Sequence, residues 1–396
     1  MRFSAAYYQT EATIQTHLPC LTEAQQRGLT WWVHGTILAE SACQNAVIGA
    51  LCTTAREWHA VRQYLREWLY DGTDKATPCT TQVNVRACFV PLLRWVLRLW
   101  HGDTLALAVD ATAHGQAVTA LVVSVLYRGT AIPVAWVILR GNTKGAWMPE
   151  ILRLLRQLHP AVSSEQQVLV LADRGLWSPR LFKRITDLGW HPLLRLTGSI
   201  TFTPHGSSRQ RARDLVPGPG HAWVGRGVAF AGQRRRAGTL IVVWIEGQAD
   251  PWLLLTDLRP RSVGIAWYGL RMWIELGFKA VKGLAWHWDK TRRTDPERVA
   301  RHWLVLAVAT LLVLATATRI EDACLLDLPP AVLHAPPTQP RWRPPGVTRI
   351  VSLMRQGIIA LRHQIILGRL WKRSWLRPEP WPRPPPGLHV HYHDSS

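Results

Sequence analysis

The chain has 396 residues, 47% of them apolar, enough to bury a sizeable core across two or three domains and too many for global disorder. Lys and Arg number 47 against 26 Asp and Glu, and the net charge of +21 points past a membrane surface or simple solubility to a polyanion, nucleic acid being the commonest. Six cysteines (Cys20, Cys43, Cys52, Cys79, Cys88, Cys324) form no CxxC pair and MRFSAAYYQTEATIQ lacks a leader's apolar stretch, so a reduced, cytoplasmic protein is expected.

Residues 1–95 read as a helical domain. Apolar positions recur every three or four residues through LTWWVHGTILAESACQNAVIGALC and again through WHAVRQYLREWLYDG, where Gly72 is the expected stop. A polar patch, DGTDKATPCTTQ, precedes one more helix, VNVRACFVPLLRWVLRLW. Strands follow. LALAVD (105–110) is an apolar run ending in a carboxylate, and QAVTALVVSVLY (116–127) and TAIPVAWVILR (130–140) flank the turn-like RGT as a hairpin. MPEILRLLRQLH (148–159) is an amphipathic helix, and EQQVLVLAD (165–173) is a strand that again ends in Asp. SPRLFKRITDLG (178–189) reads as a helix with Ser178 as N-cap and Pro179 at its first position, and HPLLRL as a further strand. Three strands, helix, strand, helix, strand is the order of a ribonuclease H-like α/β core, assigned to 96–196 and 258–325.

Between those two stretches, 197–257 reads as a β-rich insertion, with GTLIVVWIEG and PWLLLTDL flanking GQAD as a hairpin. SVGIAWYGLRMWIELGFKAVKG returns to helix, with Ser262 as candidate cap and Gly283 as candidate stop. The apolar run Trp303–Ala317 follows the charged segment DKTRRTDPERVARH and falls short of the roughly 18–20 residues of a membrane span, so a buried core helix is expected. Residues 326–396 are dense in Pro, Arg and Trp. They read as a basic tail outside any ordinary core, interrupted by one helix in TRIVSLMRQGIIALRHQIILGRLW. HVHYHD near the end reads as surface decoration rather than a metal tract.

Asp110 and Asp173 end two strands expected to lie parallel, which puts both on the rim where α/β sheets bind ligands. Carboxylates there suit hard divalent cations. The helix YGLRMWIELGFKAVK adds Tyr268, Arg271, Glu275 and Lys282 at spacings of three, four and seven. At about 100° per residue, all four fall within an arc of roughly 60°. The plain alternative is a solvated stripe in which Arg271 and Glu275 form an i,i+4 pair worth roughly a few tenths of a kcal/mol. Asp289, Glu246 and Asp257 are competing acids, none in so tight a pattern.

AVDAT around Asp110, LADRG around Asp173 and the Y-x2-R-x3-E-x6-K pattern from Tyr268 to Lys282 resemble the DDE transposases of bacterial insertion sequences. The resemblance is to the branch with the Tyr-Arg-Glu-Lys signature, the insertion-sequence-four family, over about residues 100–320. It implies that Asp110, Asp173 and Glu275 form a catalytic triad holding two Mg²⁺ ions (or Mn²⁺ in their place) about 4 Å apart. It further implies cleavage of transposon ends through a DNA hairpin, followed by strand transfer into target DNA. Trp252, just before a Leu-Leu-Thr run, is then the platform for a base turned out of that hairpin, with Tyr268, Arg271 and Lys282 holding phosphates beside it. The implied partners are double-stranded DNA with terminal inverted repeats, target DNA and a second copy in a homodimer on DNA, with no membrane. The amino-terminal helices would bind the element ends. Gly175 departs from the family, which often carries an acid there. The competing reading is a catalytically retired DNA-binding descendant, against which the three intact acids argue.

Overall fold

The computed structural model describes residues 4–52, 54–75, 82–141, 147–330, 332–339, 341–344, 348–372 and 374–393. Part of the polar patch DGTDKATPCTTQ, residues 76–81, lies outside them. Four helices come first: α1 (Ala5–His17), α2 (Glu23–Ala39), α3 (Gln44–Leu51) and α4 (Ala55–Leu69). Ser4, Thr22 and Thr54 cap three of them by accepting backbone N–H bonds, Thr22 in a reciprocal capping box with Gln25. The stretch LTWWVHGTILAESACQNAVIGALC, read as helical, is divided at Glu40, which adopts a left-handed conformation and ends α2. α4 stops at Leu69, and Gly72 opens a 3-10 turn instead of ending the helix.

Helix α5 (Phe89–Leu99) leads into β1 (Thr104–His114), β2 (Val118–Tyr127) and β3 (Thr130–Arg140). The β2–β3 turn puts both central residues, Arg128 and Gly129, at positive φ (42° and 82°), as the twist of a two-residue hairpin requires. Helix α6 (Trp147–Leu158), β4 (Gln167–Ala172), α7 (Pro179–Asp187) and β5 (His191–Arg195) follow. Ser178 caps α7 as expected, accepting from the Leu181 N–H at 3.0 Å. β1 runs parallel to β4 and β4 parallel to β5, while β1–β2 and β2–β3 are antiparallel, giving the order β3-β2-β1-β4-β5.

The chain then builds β6 (Thr201–Pro204), β7 (Gln210–Arg211), β8 (His221–Ala229), β9 (Arg236–Trp244) and β10 (Trp252–Thr256). β9 and β10 pair as the expected hairpin, and β10 also pairs with β5, so these strands prolong the same sheet. The helical segment after β10 begins at Trp267, and Ser262 ends a separate short 3-10 turn. Ser262 therefore caps nothing, contrary to expectation, because residues between it and Trp267 are not helical.

Helix α9 (Pro296–Leu325) crosses the interior. It is long and apolar enough for a membrane span, yet 94% of its most apolar window is buried against protein. The carboxy-terminal region corrects the expectation of a tail outside the core. Helix α10 (Leu353–Ile366) packs on α9 so closely that a Cβ on Gly357 would stand 2.1 Å from the Val313 carbonyl oxygen. Beyond it, Leu376 bonds Leu99 O and His101 N, and Trp375 and Leu376 are buried. HVHYH lies at the surface, with His389 and His391 exposed, but as a strand, β11 (His389–His393), parallel to β8. Proline-rich chain cannot pair along its length because Pro lacks an N–H, but it can lie extended across a surface and dock its Trp and Leu residues.

Arginine–carboxylate pairs lock this strap in place. Arg128 at the β2–β3 turn reaches Glu321 (2.6 Å) and Asp322 (2.9 Å) of α9, and Arg343 and Arg349 also bind Glu321 at 2.7 Å each. Arg377 and the Trp375 indole N–H bind Asp322, and Arg349 extends to Glu379.

Candidate active site

The β1–β4 register pairs Val109 with Ala172, so Asp110 and Asp173 stand one step further on, side by side. Asp173 lies just past the end of β4, as read from the sequence. Asp110 does not end its strand: β1 continues to His114, because β2 keeps pairing with it out to Val118 after β4 has stopped. Asp110 is therefore anchored on a strand, and its Oδ1 accepts the Ala111 N–H at 2.8 Å.

The third acid comes from a helix of three pitches. A 3-10 turn, Trp267–Arg271, passes into α8 (Met272–Lys279) and then into a π-turn, Ala280–Leu284. In a 3-10 turn residues three apart eclipse, which sets Tyr268 and Arg271 on one face. Gly277 lets α8 settle on the start of β3, since a Cβ there would stand 2.8 Å from Ala131 Cβ. That close seat holds Glu275 over the strand ends.

One guanidinium joins the three acids. Arg271 donates from Nη2 to Asp110 Oδ2 at 2.7 Å and from Nη1 to Glu275 Oε1 at 2.9 Å, and Nη2 stands 4.0 Å from Asp173 Oδ2. Its Nε is buried without a partner among the described residues. The buried Tyr268 hydroxyl donates to Asp173 Oδ1 at 3.2 Å, and Arg195 at the end of β5 stands 3.8 Å from the same oxygen. Burial pushes the Asp110 carboxyl up to about 6, further than Arg271 and the Ala111 N–H can pull it down, and the nearby Glu275 and Asp173 push the same way. Burial, then the Asp173 charge, also raises the Tyr268 phenol, which stays protonated as a donor.

Each residue singled out in the sequence has a place. Trp252, first residue of β10, is half-buried and meets Tyr268 edge to face at 5.3 Å. Lys282 lies on the π-turn, its pKa lowered by burial against the pull of Asp289 and Glu275. Of the competing acids, Asp257 pairs with His191 at 3.0 Å and Glu246 lies against Gly220, beyond β9. Arg195 and Gly277 were not singled out in the sequence. Arg195 does end the strand next to the Asp173 strand, and that position was readable.

The donor set is oxygen only, which suits hard divalent cations. Among the described residues, no three acidic, His or Cys side chains converge as a ready-made cage. The Arg271 guanidinium fills the space between the acids, and a positive group is what that space accommodates. The residues therefore fit a divalent cation once Arg271 gives way.

Residues 102–312, more than half of the chain, match the family model described as the transposase DDE domain. No curated protein matches the chain. Among solved structures, a cryo-EM structure of the piggyBac transposase synaptic complex with hairpin DNA aligns with 92% of this chain and 78% of that one. Its identity is 10% and its TM-score 0.44.

Proposed function

Because the chain belongs to the transposase DDE domain family, we propose that it cuts the ends of a DNA element and joins them to target DNA, using Asp110, Asp173 and Glu275 as its catalytic triad. The single observation that carries this reading is the convergence of those three acids, from two parallel strands and one helix, on one guanidinium. Membership of the Tyr-Arg-Glu-Lys branch is supported by Tyr268, Arg271 and Glu275 acting on one site with Lys282 near it. A ribonuclease H-like core is supported by the order β3-β2-β1-β4-β5 with two parallel neighbours. The strands of 197–257 would be the branch's insertion and residues 1–95 its end-binding domain.

Asp110, Asp173 and Glu275 would hold two Mg²⁺ ions, which when bound supply Lewis acidity to the scissile phosphate and acidify an attacking water or 3′-hydroxyl. The protein's own contribution is placement. Asp110 is fixed by its strand and the Ala111 N–H, and Asp173 is oriented by the Tyr268 hydroxyl. Arg271, released from the acids, becomes a forked donor for a phosphate beside the site, with Lys282 as a second cation. Trp252, braced edge-on by Tyr268, offers an aromatic face for a base that leaves the stack in a hairpin. A homodimer pairing two element ends completes the reading.

The test is Mg²⁺-dependent nicking of duplex DNA carrying the element's inverted repeats. Wild-type protein nicks at the element end, and Glu275→Gln binds the same DNA without nicking it. Equal nicking by both proteins removes Glu275 from the triad. Binding without nicking by the wild type favours the retired descendant.

A further inference from the structure

We infer that a basic groove on the far side of the β1 end, formed by Lys290, Arg292, Arg293 and Arg298 opposite the start of α3, binds the phosphate backbone of duplex DNA alongside the acidic site. This inference rests on the DNA-joining reading above and adds a surface to it. The groove is an open cavity of about 640 Å³, walled by Cys43, Gln44 and Asn45 on one side and by residues 290–295 and Arg298 on the other.

Charge is the first argument. Lys290 and Arg292 are exposed and make no ion pair among the described residues. Of the acids at hand, Asp295 caps α9 by accepting the Arg298 N–H at 3.0 Å, Asp74 takes the Arg298 guanidinium at 2.8 Å, and Asp289 acts on Lys282. Arg293 is the decisive member. It is half-buried, its guanidinium stands 5.7 Å from the Trp32 ring, its hydrogen-bond partner is the neutral Gln44 amide (2.9 Å), and its buried Nε has no partner among the described residues. Burial lowers its pKa to about 10, with Tyr70 and Cys43 acting in its favour and Arg298 against it; no carboxylate offsets the burial. A cation held this way is costly to fold unless an anion arrives.

Backbone geometry is the second argument. His287 and Arg292 both hold positive φ (52° and 54°), a region that non-glycine residues avoid, so the segment is kept in an unfavourable path. That path presents Arg292 outward and Arg293 inward. On the opposite wall, Cys43 leads into α3 without a side-chain cap, so the helix's first N–H groups add positive potential to the groove.

Position is the third argument. His114 lies four residues past Asp110 on β1, and its Nε2 bonds the Asp289 carbonyl at 2.9 Å, one residue before Lys290. At about 3.3 Å per strand residue, the groove starts roughly 13 Å from Asp110. A duplex covers that distance in about four base pairs at about 3.4 Å each. One DNA backbone can therefore run from the acids into the groove.

The test uses the full chain and a fluorescein-labelled duplex of about 30 base pairs of arbitrary sequence, in EDTA so that no cleavage contributes. Anisotropy titrations across a salt series give the slope of log K against log[salt], which falls by about 0.9 for each phosphate that is no longer neutralised. Lys290→Gln with Arg292→Gln is expected to reduce the slope by about 2 and to weaken binding about tenfold or more near 0.15 M salt. Arg293→Gln should reduce the slope by about one further unit, and if that variant fails to fold the exposed pair decides alone. The matched control is Arg355→Gln with Arg362→Gln on α10, where Glu40 already takes both cations; its slope should stay at the wild-type value. An unchanged slope in the groove variant, or an equal loss in the control, overturns the groove. Absence of duplex binding by wild-type protein at the lowest salt overturns the DNA reading itself, and the groove with it.

Discussion

Two clusters of arginine and carboxylate lie in this molecule, and they differ in balance. Around Glu321 and Asp322, four arginines (Arg128, Arg343, Arg349 and Arg377) meet two acids in the interior. Burial pushes Glu321 up, but hydrogen bonds from Arg349 and Arg343 and the Arg128 charge hold it down to about 2. Asp322 is likewise held low against its burial by Arg377, Arg128 and the Trp375 indole. Around Asp110 one guanidinium bridges the three acids, with Arg195 3.8 Å from Asp173, and Asp110 stays raised to about 6. In the first cluster cations outnumber the acids, both acids are held ionised, and the product is a fixed tail. The second is short of positive charge, and a site short of positive charge is one that accepts a cation. Residue types alone do not separate structural ion pairs from a chemical site; the ratio of charges and their burial do.

The comparison breaks most sharply under single-acid removal. Neutralising Asp110 or Glu275 (Asp110→Asn, Glu275→Gln) should lower single-turnover nicking by about 10³-fold or more, roughly 4 kcal/mol of transition-state stabilisation, while the folded state persists. Cleavage that survives either change would dissolve the distinction. In the first cluster the cost falls on stability instead. Asp322→Asn should lose about 3–5 kcal/mol in urea denaturation, since it leaves the buried Arg377 without its carboxylate and Arg128 with Glu321 alone.

Acid titration gives the two clusters opposite signs. Asp110 has its folded pKa raised from 3.8 to about 6, so between those values the folded state holds a proton that the unfolded chain has released. Stability from this group therefore falls as pH rises through that window, by on the order of 2–3 kcal/mol, and Asp110→Asn removes the slope. Glu321 has its folded pKa lowered from 4.5 to about 2; its contribution, of similar size, is present above pH 4.5 and lost as pH falls towards 2. Glu321→Gln removes that second slope. Mg²⁺ sharpens the contrast: it should raise the wild-type Tm above pH 6 and leave Asp110→Asn little changed. The smallest effect tests the docking that accompanies the first cluster. Gly357→Ala should cost about 1–3 kcal/mol by forcing α10 off α9, read as a lower denaturation midpoint.

Much of the site was legible because its signals are local. Asp110 and Asp173 follow apolar runs that can only be buried strands, and the helical spacing of Tyr268, Arg271 and Glu275 places them on one face whatever else surrounds them. The extent of β1 was not legible, since where a strand ends depends on how far its antiparallel partner reaches, and β2 reaches past Asp110. Ser262 failed as a cap for a related reason: capping residues signal a helix start only where the next residues turn, and here they did not until Trp267.

The sequence by itself determined most of the helices and strands between Phe89 and Arg195, that Trp303–Ala317 belonged inside, and which acids could meet. Those follow from periodicity and burial of apolar side chains, which neighbours along the chain fix. Only the tertiary structure decided that the Pro-rich region is a strap locked by Glu321 and Asp322, that HVHYH is a strand beside β8, and that Arg271 occupies the space between three acids. Each of those depends on groups more than a hundred residues apart, or on which charges share one buried space, and no local pattern encodes either.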